Sequence, residues 1–135
     1  ITTMHRILSD LTPLLDSPHG RHVVVGGDFN CSTQLSRPHR ARHRNLFERF
    51  ETLGLVDLVA SCRDSELDGC PCDDEPCRHV QTHRHSQSRV PWQDDYLFAT
   101  SALADRLVGC DVVDGGQPDP WDFSDHCPIR AVFDI

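Results

Sequence analysis

VVVGGDFN, residues Val23 to Asn30, joins three β-branched apolar residues to two glycines and then to an acid, an aromatic residue and an amide. Such apolar residues favour a buried strand, which we expect over His22–Val25. The glycines would let the chain turn sharply where that strand ends. Open sheets place their functional groups at strand ends. The stretch therefore predicts that Asp28 and Asn30 face a cleft.

The residues before and after this stretch alternate between helical and strand patterns. Apolar residues three and four positions apart predict an amphipathic helix that ends before Pro18: Met4, Ile7, Leu8, Leu11, Leu14 and Leu15. Strands are expected for DYLFAT (95–100), for 107–113 and for PIRAVFDI (128–135), with a short helix at 101–107. HVQTHRH (79–85) alternates weakly and is a further strand candidate. This order predicts a single mixed α/β domain.

A basic run, RPHRARHR (37–44), follows the opening stretch. We expect a polar loop through His43 and then a helix from Arg44 to Leu53, which Gly54 ends. The run either flanks the cleft and steers an anionic substrate or is a solvated loop. GLVDLVA (54–60) is a strand or a helical turn, and residues 61–78 are expected to form an irregular loop.

Length and charge limit the classes of function. At 135 residues the chain is one domain at most, and it has no apolar run of about 20 residues that would span a membrane. Thirteen basic against twenty-one acidic residues give a net charge of −8. This argues against binding nucleic acid mainly through a basic surface. It does not exclude an enzyme that reaches phosphates through a metal ion.

The seven cysteines indicate a compartment. Their odd number and the lack of a secretory signal disfavour a disulfide framework, so we expect a cytoplasmic protein. Because the sequence starts at Ile1 and enters a helix almost at once, we also expect it to be a piece of a longer protein.

Three polar clusters stand at predicted strand edges: Asp28 with Asn30, Asp94 with Asp95, and Asp125 with His126. A carboxylate can hold a hard cation, and a protonated histidine can stabilise developing negative charge. A further carboxylate can fix the tautomer of that histidine. Each cluster alone is also explained as an ordinary turn.

Together and in this order, GGDFN, DDYLFAT and SDHCPI resemble the endonuclease/exonuclease/phosphatase superfamily, and the resemblance extends over nearly the whole chain. It implies part of a four-layer α-β-β-α sandwich with mixed, largely antiparallel sheets. Residues 1–135 would be a partial domain, the C-terminal half, with a Cys/His-rich loop at 62–85. The N-terminal half, which carries a metal-binding Glu in the family, would be missing from this sequence and would pack on the sheet.

The resemblance also implies roles for individual residues. Asp28 would orient or deprotonate the attacking water, and Asn30 would contact the scissile phosphate. Asp95 would support His126, the histidine that contacts phosphate, while Asp125 would bind Mg²⁺ or Mn²⁺. Asp94 has no counterpart in the family that we can name, and a surface or supporting position is expected for it.

The implied function is a divalent-metal-dependent phosphoesterase that hydrolyses phosphodiesters with activated water, nucleic acid being the slightly favoured substrate. The alternatives within the superfamily are a phosphomonoesterase and a phospholipid diesterase. A non-catalytic half-domain, stapled by zinc, is the alternative from another class.

For the Cys/His-rich loop we consider a separate hypothesis, that it binds zinc. Zinc prefers four Cys and His ligands, and we expect Cys72 and Cys77 with His79 or His83 to supply them. Alternatively, the cysteines are buried as small apolar residues. The family resemblance implies that His83 or His85 lines the cleft and contacts substrate instead.

Overall fold

Nine elements alternate along the chain in the computed structural model, which describes all 135 residues. They are α1 (Thr2–Leu15), β1 (Val24–Asp28), α2 (Arg37–Thr52), β2 (Leu55–Asp57), α3 (Leu58–Cys62), β3 (Asp95–Thr100), α4 (Ser101–Ala104), β4 (Leu107–Val112) and β5 (Ile129–Phe133). Short 3-10 turns lie at Pro18–Arg21 and Pro120–Asp122. No helix has both the length and the apolar character that crossing a bilayer requires.

The strands form two antiparallel sheets. One has the order β1-β3-β2 and the other pairs β4 with β5. The central strand β3 has an apolar, aromatic sequence, DYLFAT, because it is covered on both faces. The predicted α/β class and the strand at 95–100 are therefore confirmed.

The side chains of β3 alternate between two cores, as the pleat of a strand requires. Tyr96 and Phe98 pack with α1 and α2 on one face, in a cluster of Met4, Leu8, Phe29, Cys31, Leu46, Phe50, Leu55, Tyr96 and Phe98. Ala99 and the neighbouring Leu97 face the second sheet, where α3, α4, β4 and β5 supply the apolar partners. Helices, three-stranded sheet and two-stranded sheet thus form successive layers.

The four-layer sandwich expected for the whole domain is matched only in part, by these small antiparallel sheets and the helices on them. Several apolar side chains on the strands remain exposed: Val24, Val108 and Val132 are 46%, 69% and 49% accessible. That a further half of the domain packs on these sheets stays a prediction.

The basic run is helical, so the predicted loop through His43 is wrong. Helix α2 begins at Arg37, with Pro38 in its first turn, where proline is well tolerated. Arg40 is buried and donates to the carbonyls of Leu35 and Pro71. Tertiary hydrogen bonds therefore stabilise a segment whose charge pattern suggested solvent exposure.

Residues 63–94 form one long irregular segment between α3 and β3. The strand suggested for 79–85 does not form: His83 alone makes isolated bridges, one to Trp92 and one to His126. The expected irregular loop is thus longer than 61–78. It carries both the cysteine cluster and His83 towards the sheet.

Candidate active site

Strand β1 brings Asp28 beside Asp95, its direct neighbour on β3. The strand continues through Gly26 and Gly27, so our placement of the turn at the glycines is wrong. A Cβ at Gly26 would lie 2.6 Å from Leu97 Cδ1, so a side chain there would displace the end of Leu97. The chain leaves the sheet at Asn30, which has a φ of 49°, a conformation that asparagine tolerates better than most residues.

Asp28 and Asn30 form a local hydrogen-bonded unit. The backbone amide of Asn30 donates to Asp28 Oδ1 over 2.9 Å, and the Asn30 side-chain amide donates to Asp28 Oδ2 over 3.2 Å. Both residues are solvent-exposed. The left-handed turn therefore fixes a carboxylate and an amide side by side at the open edge of the sheet.

His126 faces this carboxylate and is held from behind by Asp95. Its Nδ1 lies 2.7 Å from Asp95 Oδ2, and its Nε2 lies 4.0 Å from Asp28 Oδ2. Partial burial alone would lower the pKa of His126, but the hydrogen bond to Asp95 and the charges of Asp95, Asp28 and Asp125 outweigh it and raise the pKa. The structure therefore brings together the predicted residues Asp28, Asp95 and His126.

A second pair of the same kind lies next to the first. His83 Nδ1 is 2.7 Å from Asp94 Oδ2, and the rings of His83 and His126 stack with centroids 4.4 Å apart and planes 9° apart. We predicted only a surface or supporting position for Asp94, and its pairing with His83 was missed. The adjacent carboxylates of Asp94 and Asp95 were the signal for two pairs, but the partner histidines lie 11 and 31 residues away.

Thr82 holds the backbone of both Asp94 and Asp95 in place, and no sequence motif indicates this role. Its hydroxyl oxygen accepts from the amides of Asp94 and Asp95, each over 3.1 Å. Its carbonyl accepts from the amide of Cys127, next to His126, over 2.8 Å. The side chain of Thr82 is fully buried. One residue thus connects the three segments that carry the two pairs.

The other two predicted residues lie at the margin of this arrangement. Asp125 is 70% exposed, and its Oδ2 lies 3.8 Å from His83 Nε2. The side chains of His83, Asp125 and His126 lie close enough together to hold one metal ion. His85 is exposed and accepts from the amide of Gln87, with its ring centroid 5.9 Å from that of His83. His83 therefore belongs to the site, and His85 lies beside it.

The Cys/His-rich loop forms a second, separate cluster. Sulfur and nitrogen atoms of four residues lie within 4.8 Å of one another: Cys70, Cys72, Cys77 and His79. The sequence-predicted set thus gains Cys70, while His83 does not belong to it, because its ring is engaged by Asp94. Burial raises the pKa of the Cys72 thiol to about 12. Burial also acts to raise that of Cys77, but hydrogen bonds, first from Leu67, outweigh it and lower the pKa.

Solved nuclease structures share this fold. An AP endonuclease from Archaeoglobus fulgidus superimposes with a TM-score of 0.66 at 22% identity, over 99% of this chain and 53% of that one. A 3′-5′ exonuclease, NExo, from Neisseria meningitidis gives 0.62 at 19% identity, over 98% and 51%. The 3′ phosphatase NExo from Neisseria bound to a product DNA hairpin gives 0.63 at 18%, also over 98% and 51%.

Sequence comparisons find no such relatives: no protein-family model matches the chain, and none of the curated proteins matches it. The chain spans about half the length of the solved structures that it resembles. At this identity the likeness shows the fold, and it confirms at that level the resemblance carried by GGDFN, DDYLFAT and SDHCPI. The chain has about half of the fold that these solved AP endonuclease and NExo structures have.

Proposed function

We propose that this chain carries the phosphate-binding side of a divalent-metal-dependent phosphoesterase site, which hydrolyses phosphodiesters with activated water. One observation carries the proposal. Two carboxylate-paired histidines stack and present their Nε2 atoms beside Asp28 and Asp125. Histidines oriented in this way, next to carboxylates at the open edge of a sheet, suit a substrate that brings negative charge.

His126 would donate a hydrogen bond from Nε2 to a phosphate oxygen. Because its Nδ1–H is held by Asp95 over 2.7 Å, the ring cannot rotate away, and its raised pKa favours the cationic form. A cationic donor stabilises the extra charge that builds up on phosphate oxygens during in-line attack. His83, fixed by Asp94, would make the parallel contact to a second oxygen.

Asp28 and Asn30 would act on the water and the substrate. Asp28 would orient the attacking water or accept its proton. Asn30 uses one amide hydrogen on Asp28, and its other hydrogen is left to donate to the scissile phosphate. The hydrogen bonds from Asn30 keep the Asp28 carboxylate in one orientation.

The donor chemistry at this edge fits a hard divalent cation. Mg²⁺ and Mn²⁺ take oxygen ligands and keep water and substrate phosphate in much of their coordination shell. Asp125 offers an exposed carboxylate next to the histidine pair and would hold the ion, with water and substrate oxygens completing the shell. A bound cation supplies Lewis-acid stabilisation of the phosphate oxygens.

Nucleic acid is the substrate that we favour. The solved structures of the same fold act on DNA by their names, as an AP endonuclease and a 3′-5′ exonuclease, and one contains a DNA hairpin. A 3′-phosphate is the second candidate, because the DNA-bound structure is described as a 3′ phosphatase. Other monoesters, phospholipid diesters and a non-catalytic half-domain are the remaining alternatives.

The first experiment measures hydrolysis of a generic phosphodiester, of single- and double-stranded DNA and of an oligonucleotide with a 3′-phosphate. Each is assayed with Mg²⁺, with Mn²⁺ and with a chelator. We expect metal-dependent turnover that His126→Ala removes and that His39→Ala, a change at an exposed histidine on α2, leaves intact. Equal turnover in His126→Ala would reveal a contaminating nuclease. No turnover by a folded, monodisperse sample would support the non-catalytic alternative.

A further inference from the structure

We propose that Cys70, Cys72, Cys77 and His79 bind one zinc ion as a structural Cys₃His centre. Their three Sγ atoms and one ring nitrogen lie within 4.8 Å of one another. His79 Nδ1 lies 3.6 Å from Cys70 Sγ and 3.7 Å from Cys77 Sγ, so it faces the sulfurs. Three thiolates and one imidazole make a closed tetrahedral set of the kind that structural zinc takes.

The contacts of the second ring nitrogen of His79 favour the tautomer that a zinc ligand needs. The Thr33 hydroxyl donates to Asp74 Oδ2 over 3.3 Å, which leaves the Thr33 oxygen to accept from His79 Nε2–H over 2.9 Å. A proton on Nε2 leaves a lone pair on Nδ1, directed at the sulfurs. Zinc-bound histidines usually donate their other ring nitrogen to an oxygen in this way.

The surroundings also offer a hydrogen-bond donor to the negative charge that a zinc centre would carry. A zinc ion with three thiolates carries a net charge of −1, and burying it requires a nearby positive group or donor. Arg40 is buried and donates to the carbonyl of Pro71, between two of the cysteines. Gln34 Nε2 donates to Cys70 Sγ over 3.3 Å. Asp73 and Asp74 pair with Arg40 and Arg44, so these four side chains together carry no net charge. The Gln34 amide is therefore the donor that stabilises the negative charge of the centre.

The centre would hold together a segment that has little else to order it. Residues 63–94 contain no helix and no strand, and irregular segments of this length are uncommon in compact domains unless something fixes them. Gln34 links the cluster to the active-site edge: it donates to Pro91 O and accepts from the Gln93 amide over 2.7 Å. Zinc would thereby help to fix the position of Asp94 and Asp95.

The alternative for these cysteines is oxidation to disulfides. Measuring metal binding distinguishes a zinc centre from disulfides. Protein purified under reducing conditions is loaded with Zn²⁺, desalted and assayed for metal by mass spectrometry, and separately titrated with Co²⁺. We expect one zinc ion per chain, and cobalt spectra with the visible bands of tetrahedral coordination and thiolate charge transfer. A wild-type chain that binds no stoichiometric zinc while its cysteines are kept reduced would overturn the proposal.

Single-residue variants test which side chains bind the metal in the loop. Cys72→Ser should lose the tetrahedral cobalt spectrum, whereas Cys62→Ser, at an exposed cysteine outside the cluster, should keep it. His126→Ala should also keep it, which separates this centre from the group of His83, Asp125 and His126. Thr33→Val retains all four ligands and should weaken zinc affinity by about 10-fold to 100-fold. Unchanged cobalt spectra in Cys72→Ser, or their loss in His126→Ala, would contradict the assignment.

Discussion

The two histidine clusters of this chain, one at the sheet edge and one in the Cys/His-rich loop, differ in the partners of their histidines and in their exposure to solvent. At the sheet edge the partners are carboxylates, and Asp28 and Asp125 are exposed to solvent. In the loop the partners are sulfurs, and Cys77 and His79 are buried. In both places one ring nitrogen of each histidine is held by an oxygen while the other faces the cluster.

The difference fits the proposal of a reaction centre at the sheet edge and a structural centre in the loop. Exposed oxygen donors leave room for water and substrate in the shell of a hard cation. Three thiolates and one imidazole, two of them on buried residues, would complete the shell of zinc and leave no open position. Chemistry is therefore expected at the sheet edge, and stability is expected to depend on the loop.

The largest expected effect comes from comparing two variants, each of which disrupts one of the two clusters. His126→Ala should reduce phosphodiesterase turnover by about 10²-fold to 10³-fold, because losing a positioned donor to a developing negative charge costs this much. At pH 8 it should leave the thermal midpoint close to that of wild type. Cys72→Ser should lower the midpoint far more. Turnover and thermal unfolding, measured on the same preparations, provide the check. If His126→Ala were the less stable of the two, the division of roles would be wrong.

Metal removal should separate the clusters by their response to chelators. At a free zinc concentration of about 1,000 times the dissociation constant, zinc stabilises the fold by about 4 kcal/mol, and a strong chelator should remove that contribution. A weak chelator that takes only Mg²⁺ or Mn²⁺ should stop turnover without changing the free energy of unfolding. Denaturant unfolding under both conditions tests this. Equal unfolding midpoints with and without zinc would contradict a structural centre.

How far the sequence predicts each cluster depends on how local its contacts are. Asp28 and Asn30 are two residues apart on one turn, and Asp125 precedes His126, so short motifs indicate them. The pairing of His83 with Asp94 depends on the path of an irregular loop, which no periodic pattern encodes. Thr82 connects three segments because its hydroxyl and its carbonyl accept from backbone amides, and a single threonine in an irregular loop does not reveal these partners in the sequence.

The same reasoning explains the errors in secondary structure. The run from Arg37 to Arg44 has the composition of a solvated loop, and buried contacts of Arg40 with distant carbonyls override that composition. At Gly26 and Gly27 the sequence indicated a turn, but both glycines lie within β1, and Leu97 approaches Gly26 closely across the sheet. Both errors concern tertiary contacts, whereas the apolar spacing of α1 and β3 sufficed for their prediction.

The two Asp–His pairs can be compared by removing one charge at a time. Asp95→Asn should lower the pKa of His126, because the hydrogen bond and the charge of Asp95 are what raise it, and turnover should fall by about 10-fold to 100-fold. Asp94→Asn should disturb His83 first and leave the Nδ1 contact of His126 in place. NMR titration of the imidazole signals tests both. An unchanged His126 pKa in Asp95→Asn would contradict the pairing.

The stability of the fold should also depend on the charge of His126. Since folding raises the pKa of His126, its contribution is fully present below the unfolded pKa of about 6.5 and is lost as the pH rises through the folded pKa. Wild type should therefore be more stable than His126→Gln at pH 5, and the difference should shrink at pH 8. Denaturant unfolding at both pH values measures it, and a difference that grew with pH would contradict the sign.

The smallest expected effect concerns a carboxylate outside both clusters. Asp57 caps α3 by accepting from the Ala60 amide over 3.0 Å, and burial raises its pKa to about 6. No cation or histidine compensates this burial, unlike the carboxylates at the sheet edge. A raised folded pKa means that stability is fully present below the unfolded value near 4 and is lost as the pH rises through about 6.

Asp57→Asn tests whether burial of the Asp57 carboxylate alone causes the loss of stability at higher pH. Asparagine caps helices as well as aspartate does and carries no charge, so the variant should match wild type at pH 4. At pH 8 it should be more stable by about 1 to 2 kcal/mol, since a shift of two units is worth at most about 3 kcal/mol and partial solvent exposure screens some of it. Equal stability at pH 8 would mean that water reaches the carboxylate. Solvent exposure would then not distinguish Asp57 from Asp28 and Asp125. Only the neighbouring histidines would distinguish the carboxylates at the sheet edge from Asp57.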